Sequence, residues 1–143
     1  MSKGNTFEAD LLKLIFQAVA IANIADNAAA APLTNLYVSL HTADPGEAGD
    51  QTTSEIAYTG YARKAVARTT GGWAITGNSI SPVANVDFGE MTGGAGGTVT
   101  HFAIGTASTG AGKLLYSGTV SPNISVVTGV IPRLTTGSTI TED

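Results

Sequence analysis

The first thirty residues carry an apolar pattern with the period of an α-helix. Apolar side chains recur every three to four positions, as on one helical face. The members of this face are Phe7, Leu11, Leu14, Ile15, Ala18, Ala22 and Ala25. Three more apolar residues widen it: Leu12, Phe16 and Val19. The pattern predicts a helix over about residues 5–29, with Asn5 as its N-cap and Pro32 just beyond its end, buried on two sides.

From residue 35 onward the pattern changes to the alternation of half-buried β-strands. Leu36, Val38 and Leu40 fall on one face, and Ser39 and His41 on the other. Further strand-like segments follow at intervals of roughly 8–15 residues, separated by turns rich in Gly, Asn and Pro. No second helix is predicted to connect parallel strands. The sequence therefore predicts a mostly β fold, an antiparallel β-sandwich or jelly roll with one N-terminal α-helix. We expect one domain over residues 1–143, with the sandwich over about 35–143.

Charge is scarce in this chain. Charged residues make up 13% of the 143 positions, about half the usual ~25%. The net charge is −4, and the basic residues are scattered rather than massed on one face, so no nucleic-acid partner is expected. The one basic cluster, Arg63, Lys64 and Arg68, is interpreted as a solvated strand face. Lys13 and Asp26 interrupt the apolar N-terminal stretch, so no membrane partner is expected either.

The sequence offers little for catalysis or metal binding. It contains no cysteine. Residues 93–97 and 105–113 resemble phosphate-binding loops, but predicted strands follow them where such loops need a helix N-terminus. His41 and His101 fall in predicted strands without a third ligand or a serine elbow, and are interpreted as structural. Two carboxylates that flank a predicted turn are interpreted as solvated: Asp87 and Glu90. We expect no catalytic residue, no metal, no cofactor and no enzymatic activity.

Four segments resemble a family of small virion proteins of tailed phages: residues 35–46, 58–66, 100–105 and 112–118. The first carries a Leu-Tyr-x-x-Leu-His-Thr-Ala-Asp-Pro motif, and the second begins with Tyr-Thr-Gly-Tyr-Ala-Arg. The resemblance extends from about residue 30 to the end. Members of the family are often labelled tail or fibre proteins, and the family is similar to the jelly-roll cement protein on the capsid of a Bordetella phage. The resemblance implies a structural protein on the phage particle surface, made in the bacterial cytoplasm.

The favoured hypothesis is a capsid cement or decoration protein that stabilises the phage head by bridging capsid subunits. Its expected partners are the major capsid protein and copies of itself, as a homo-oligomer and most simply a dimer. Candidate partner-interface residues lie on the helix: Phe7, Leu11, Leu12, Leu14, Ile15, Phe16 and Val19. The alternative is a phage tail or tail-fibre component with a receptor- or glycan-binding role. Aromatic and amide side chains in possible loops suggest that role: Tyr58, Tyr61, Trp73 and Asn78.

Two further expectations concern a loop and a tryptophan. The acidic, glycine-containing loop from Asp44 to Glu55 is predicted to be mobile in the isolated protein, and to order only against a partner or a cation. Trp73, the single tryptophan, is predicted to be a buried core anchor because its ring carries a large apolar area.

Overall fold

The computed structural model describes residues 5–21 and 32–142, which form one α-helix and nine β-strands. The helix, α1, spans Asn5–Gln17. The strands are β1 (Asn35–His41), β2 (Lys64–Ala67), β3 (Trp73–Thr76), β4 (Ser79–Pro82), β5 (Val86–Asp87), β6 (Gly97–Gly105), β7 (Leu114–Val126), β8 (Arg133–Leu134) and β9 (Ile140–Thr141). The predicted fold class is confirmed, since the described residues are mostly β with one N-terminal helix and are consistent with a β-sandwich.

The strands form three sheets. The orders are β2-β1-β6-β7, β3-β4-β9 and β5-β8. The registered pairs are antiparallel, with Val38 of β1 opposite Ile104 of β6 and Trp73 of β3 opposite Pro82 of β4. Side chains directly opposite each other share one face of a sheet, so these registers determine which residues meet in the core.

The described residues divide into two compact units. The first unit comprises the described parts of 1–36, 66–85 and 135–143, and it contains α1, β3, β4 and β9. The second unit comprises 37–65 and 86–134, and it contains β5, β6, β7, β8 and most of β1. The single-domain organisation inferred from the sequence remains a prediction.

The core of the first unit lies between α1 and the β3-β4 hairpin. Leu12 and Phe16, one helical turn apart, are fully buried, as is Ile80 of β4. The Phe16 ring meets the Trp73 ring edge-on, with centroids 4.7 Å apart and planes at 68°. This arrangement suits the quadrupoles of two aromatic rings. The prediction that Trp73 anchors the core is confirmed, because 2% of its surface is exposed.

A helix occupies Asn5–Gln17, within the predicted range, but it ends well before residue 29. Ala18 has a φ of +57°, in the left-handed region that interrupts a right-handed helix. The backbone N–H of Val19 then donates to the carbonyl of Lys13 at 3.2 Å, which closes the helix end. Residues 18–21 are not helical. The rest of the predicted helix, residues 22–29, lies outside the described residues.

Arg68 caps the C-terminal end of α1. Its guanidinium donates to the carbonyls of Ile15 at 2.6 Å and Leu14 at 2.8 Å, and also to that of Leu33 at 2.7 Å. The last carbonyls of a helix have no partner within it, and the partial negative charge there favours a cation. The side chain therefore satisfies the helix end and fixes the chain segment before β1.

Replacing Arg68 with methionine is expected to lower the free energy of unfolding by about 1–3 kcal/mol, since three charge-assisted hydrogen bonds disappear. Urea unfolding followed by circular dichroism measures the change. Lys64→Met serves as a control, because it removes a neighbouring cation with no such role. An Arg68→Met midpoint equal to that of Lys64→Met would contradict the capping role.

The core of the second unit is built from β1 and β6. Val38 and Leu40 of β1 and Val99 of β6 are almost completely buried, so the predicted apolar face of β1 is confirmed. Ser39 and His41, on the opposite face, are also fully buried. The strand is thus covered on both faces near its end.

Candidate functional site

The predicted interface residues on α1 have very different exposures. Leu12 and Phe16 are buried within the first unit, so neither side chain is accessible to a partner. Both are therefore removed from the set of candidate interface residues. Leu11, Leu14 and Ile15 are half-buried. Phe7 and Val19 remain exposed, at 39% and 47%. The interface role of the exposed residues stays a prediction.

Two exposed apolar residues of the first unit were missed by the sequence pattern: Leu33 and Val83. Leu33 follows Pro32, and Val83 follows the end of β4. Neither lies in an amphipathic segment, so no periodicity marks them. Exposed apolar side chains that occur singly are common on protein surfaces and do not by themselves define a binding site.

A buried polar cluster occupies the second unit. It comprises Ser39, His41, Gln51, Glu55, Tyr61 and Arg63. The Arg63 guanidinium binds Glu55 through two hydrogen bonds, Nε to Oε1 and Nη2 to Oε2, both 2.7 Å. Its Nη1 donates to the Ala107 carbonyl at 3.0 Å. The hydrogen bonds with Glu55 raise the pKa of Arg63 above its ordinary value. Because Arg63 is buried here and Arg68 caps α1, their interpretation as a solvated strand face is wrong.

Tyr61 completes the ion pair. Its hydroxyl donates to Glu55 Oε1 at 2.8 Å and accepts the backbone N–H of Leu40 at 3.1 Å. Burial raises the pKa of Tyr61 well above its ordinary value. The Tyr61 ring stacks on Phe88, with planes at 7° and centroids 6.1 Å apart. Both the hydroxyl and the ring of Tyr61 thus make contacts inside the second unit.

The aromatic side chains proposed to bind sugars are not available for stacking. Tyr58 and Trp73 are 9% and 2% exposed, and Tyr61 is engaged as described above. Asn78, in the first unit, donates its amide to the Glu142 carbonyl at 3.0 Å. The prediction of sugar stacking on Tyr58, Tyr61 and Trp73 is therefore wrong, because these rings are buried or packed inside the protein. Asn78 is half-buried, and its part in glycan binding stays a prediction.

Ser39 and His41 form a hydrogen-bonded pair that the sequence did not reveal. Ser39 Oγ lies 2.8 Å from His41 Nε2, and His41 Nδ1 lies 2.8 Å from the Thr53 carbonyl oxygen. A carbonyl only accepts, so Nδ1 carries the proton and Nε2 accepts the serine hydroxyl. A nucleophile and its base have this geometry. However, neither residue is exposed at all, and a carbonyl stands where a catalytic triad has a carboxylate.

His41 predicts a pH dependence of stability. Burial lowers the pKa of His41 below its ordinary value of 6.5, so the folded state favours the neutral imidazole. The unfolded chain takes up a proton below about pH 6.5, and the folded chain does so only at a lower pH. The stability contributed by His41 is therefore complete above pH 6.5 and is lost as the pH falls towards the lowered folded value.

Urea unfolding measured at several pH values between 8 and 5 checks this prediction. This range spans the ordinary histidine pKa. We expect the loss of stability on acidification to be smaller in His41→Gln than in the wild-type chain. Equal slopes in the wild type and His41→Gln would show that another group causes any acid sensitivity.

The acidic loop predicted to be mobile is folded against the second unit. Gln51 is fully buried, its N–H donates to the Gly112 carbonyl at 3.1 Å, and its Oε1 accepts the Ala107 N–H at 2.9 Å. A Cβ at Gly105 or Gly112 would lie 2.1 Å from the Gln51 side chain, so both positions need glycine. The loop thus has hydrogen-bond partners within its own chain.

An open groove of about 500 Å³ lies between this loop and the start of β7. One side is formed by Asp44, Gly46 and Glu47, and the other by residues 114–117. The sequence could not place these two segments together, because they are far apart in the chain.

The remaining carboxylates considered in the sequence analysis, Asp87 and Glu90, do not form a catalytic pair. Asp87 pairs with the exposed Arg133 across β5 and β8, and hydrogen bonding from that guanidinium lowers the pKa of Asp87. Glu90 is exposed. Within residues 5–21 and 32–142, no three His, Cys, Asp or Glu side chains come together as a metal site. The one described helix is too short to cross a membrane.

Comparison with known protein families identifies the chain as a phage structural protein. A family model described as "Podophage GP4 fiber I protein gp80" matches residues 4–142. The chain therefore belongs to this family and is a component of the phage virion. A search of curated proteins gave no match. The predicted resemblance to phage virion proteins is confirmed. The description names a fiber protein, so it fits the tail-fibre alternative better than the capsid cement hypothesis.

Proposed function

We propose that this chain is a building block of a phage tail fibre and acts by packing and assembly rather than by catalysis. The family match over residues 4–142 carries the proposal, because it covers both units and its description names a fiber protein. In this proposal, bridging of capsid subunits is replaced by assembly within a fibre.

The interior of the second unit supports a role without catalysis. The Ser39–His41 pair is closed to solvent, so a substrate has no access to the serine hydroxyl. The Glu55 carboxylate accepts hydrogen bonds from Arg63 and Tyr61, which occupy both of its oxygens. General acid–base catalysis requires a group within hydrogen-bond reach of a substrate. These polar side chains stabilise the unit instead.

A turn between β7 and β8 supports assembly. Val127 and Ile131 are 57% and 54% exposed. The turn is anchored at Met91, whose carbonyl accepts the Gly129 N–H at 2.8 Å and whose N–H donates to the Val130 carbonyl at 2.9 Å. Repetition of one chain is the simplest way to build an extended fibre, since a heterologous contact between copies propagates. We therefore propose a second copy of this chain as the partner of the turn, in a homo-oligomer.

The particle itself provides the test of location. Cryo-electron microscopy of the virion, with gold-labelled antibodies against the purified chain, should place it in fibres that project from the tail. Density for the chain across capsomer junctions, with none in the fibres, would overturn the proposal and restore the cement hypothesis.

Removing the apolar side chains of the turn tests assembly. Native mass spectrometry of the purified chain is expected to show an oligomer that dissociates in the Val127→Ser/Ile131→Ser variant, with an unchanged thermal midpoint. Thr128→Ser is the matched control on the same turn and should remain oligomeric. A wild-type chain that is monomeric at all concentrations would contradict self-assembly. An oligomer unaffected by the double variant would show that the contact lies elsewhere.

A further inference from the structure

We infer that residues 50–55 form an acid-released lid over a cross-strand pair of histidines, His41 and His101, and that the lid opens locally when both imidazoles become charged. The inference goes beyond the proposed function, because it concerns a conformational change of the second unit and not the place of the chain in the virion. It rests on the position of the two histidines in the sheet and on the contacts that hold residues 50–55 against β1.

The two histidines lie directly opposite each other on neighbouring strands. His41 of β1 pairs with His101 of β6, and Glu55 pairs with His41 through an isolated antiparallel bridge. Directly opposite residues carry their side chains on one face, with Cβ atoms about 4.5–5.5 Å apart. Glu55, His41 and His101 therefore form one cross-strand row, in which a charge on either imidazole acts on the other.

The lid covers His41 through a few hydrogen bonds. The Thr53 carbonyl accepts from His41 Nδ1 at 2.8 Å, and the Ser54 carbonyl accepts the Thr42 N–H at 2.9 Å. Residues 51–54 form turns and belong to no strand. By contrast, β1 and β6 are joined by an unbroken register of five residue pairs. Local opening begins where the fewest contacts hold the chain, so the lid should open before the strands separate.

The closed lid suits a neutral His41. Because Nδ1 donates to Thr53, the unprotonated Nε2 accepts the Ser39 hydroxyl at 2.8 Å. A proton on Nε2 would turn this acceptor into a donor. Ser39 Oγ would then accept only by giving its own proton to the Ala103 carbonyl, which lies 3.5 Å away, at the outer limit of a hydrogen bond. Protonation beneath a closed lid therefore replaces a short hydrogen bond with a weak one.

The charged groups that face His41 do not balance two cations. Burial lowers the pKa of His41 most strongly, and repulsion by Arg63 and His101 adds to this effect. The Thr53 carbonyl and the Glu55 carboxylate act in the opposite direction. Glu55 already binds Arg63, so that pair has no net charge. Two imidazolium groups directly opposite each other would therefore destabilise the closed row.

Opening the lid removes this penalty, because water then hydrates the imidazolium. In the open state the pKa of His41 returns towards its ordinary value of about 6.5, above that of the closed state. The open state thus binds protons more readily, so acidification populates it and a return to neutral pH closes it. Carboxylates do not act in this range. On the lid itself, hydrogen bonding from the Thr52 side chain lowers the pKa of Asp50, which stays ionised.

Hydrogen exchange of the ¹⁵N-labelled full chain between pH 7.5 and pH 5, a range that spans the ordinary histidine pKa, tests the inference. The probes are the amides of Thr42, Gln51 and Ala107, whose acceptors are Ser54, Gly112 and the Gln51 side chain. After correction for intrinsic exchange rates, their opening constant should rise by up to about 30-fold on acidification. This is the value for one histidine that is protonated only in the open state. Amides within the β1-β6 ladder are the internal control and should keep their protection.

Two variants separate the contributions of the histidines. His41→Gln should remove most of the rise, because glutamine can still donate to Thr53 and accept from Ser39 but does not titrate. His101→Gln should reduce the rise, since it removes the second charge of the row. Glu90→Gln is the matched control, an exposed side chain of the same unit outside the row, and it should keep the full rise.

The inference is overturned if the probe amides keep constant protection, if the ladder amides lose protection equally, or if either histidine variant retains the full rise. Should His41→Gln fail to fold, NMR titration of the wild-type His41 ring decides. Protonation of that ring should coincide with the rise in opening, and a ring that becomes protonated while the lid stays closed also overturns the inference. None of these results bears on where the chain lies in the virion, so the fibre assignment is tested separately.

Discussion

Replacing Phe16 with alanine is expected to lower the free energy of unfolding by about 3–5 kcal/mol, the range for truncating a buried aromatic side chain. Phe16, on α1, is fully buried, and its ring contacts the ring of Trp73 on β3 edge-on. Alanine would leave a cavity beside Trp73 and remove the contact between the rings. Urea unfolding followed by Trp73 fluorescence measures the change directly, because the probe lies at the site of the substitution.

Phe7→Ala provides the control, since it removes the same atoms from the same helix at a position that is 39% exposed. Its effect on unfolding should be smaller, because a ring that is 39% exposed has less burial to lose than a fully buried one. Equal losses for the two variants would mean that Phe16 is not the core anchor. If assembly through the helix occurs, Phe7→Ala should weaken it while the thermal midpoint barely changes.

The sequence predicted those parts of the fold that depend on local pattern. The presence of α1 follows from its apolar period, and the inward face of β1 follows from the alternation of Leu36, Val38 and Leu40. Both are properties of neighbouring residues, so a single sequence reveals them. Trp73 was also predictable, because burial of so large a ring is favourable in almost any context.

The end of the helix was not predictable from local pattern. The apolar residues continue past Gln17, but Ala18 takes a left-handed conformation that alanine rarely adopts. The carbonyls freed at this point are satisfied by Arg68, some fifty residues further along the chain. Tertiary contacts of this kind override intrinsic helix propensity.

The candidate sites escaped prediction for a related reason. Alternation places Ser39 and His41 on the face opposite the apolar one, but it does not show whether that face is buried. In the structure, Thr53 of the acidic loop accepts a hydrogen bond from His41 and helps to bury that face. The charge pattern of the loop suggested mobility, and the buried Gln51 gave no signal of its own. The groove joins the turn at Asp44 with residues 114–117, and no local pattern relates two such distant segments.

Replacing Arg63 with methionine is expected to lower the free energy of unfolding by about 3 kcal/mol or more, as for other buried ion pairs that lose one partner. The Arg63 side chain is 3% exposed and that of Glu55 is 16% exposed. Methionine fills similar volume, so the loss comes mainly from a carboxylate left in the interior with one hydrogen bond, from Tyr61. The Ala107 carbonyl also loses its donor.

A double-mutant cycle with Glu55→Gln isolates the interaction. The double variant Glu55→Gln/Arg63→Met should be less destabilised than the sum of the single variants, because it contains no unpaired charge. Arg133→Met is the matched control, an arginine that binds an aspartate on the exposed β5-β8 pair, where solvent screens the charges. We expect Arg133→Met to change stability little. Additive losses in the cycle, or an Arg63→Met variant no less stable than Arg133→Met, would show that the buried ion pair does not hold the acidic loop against the second unit.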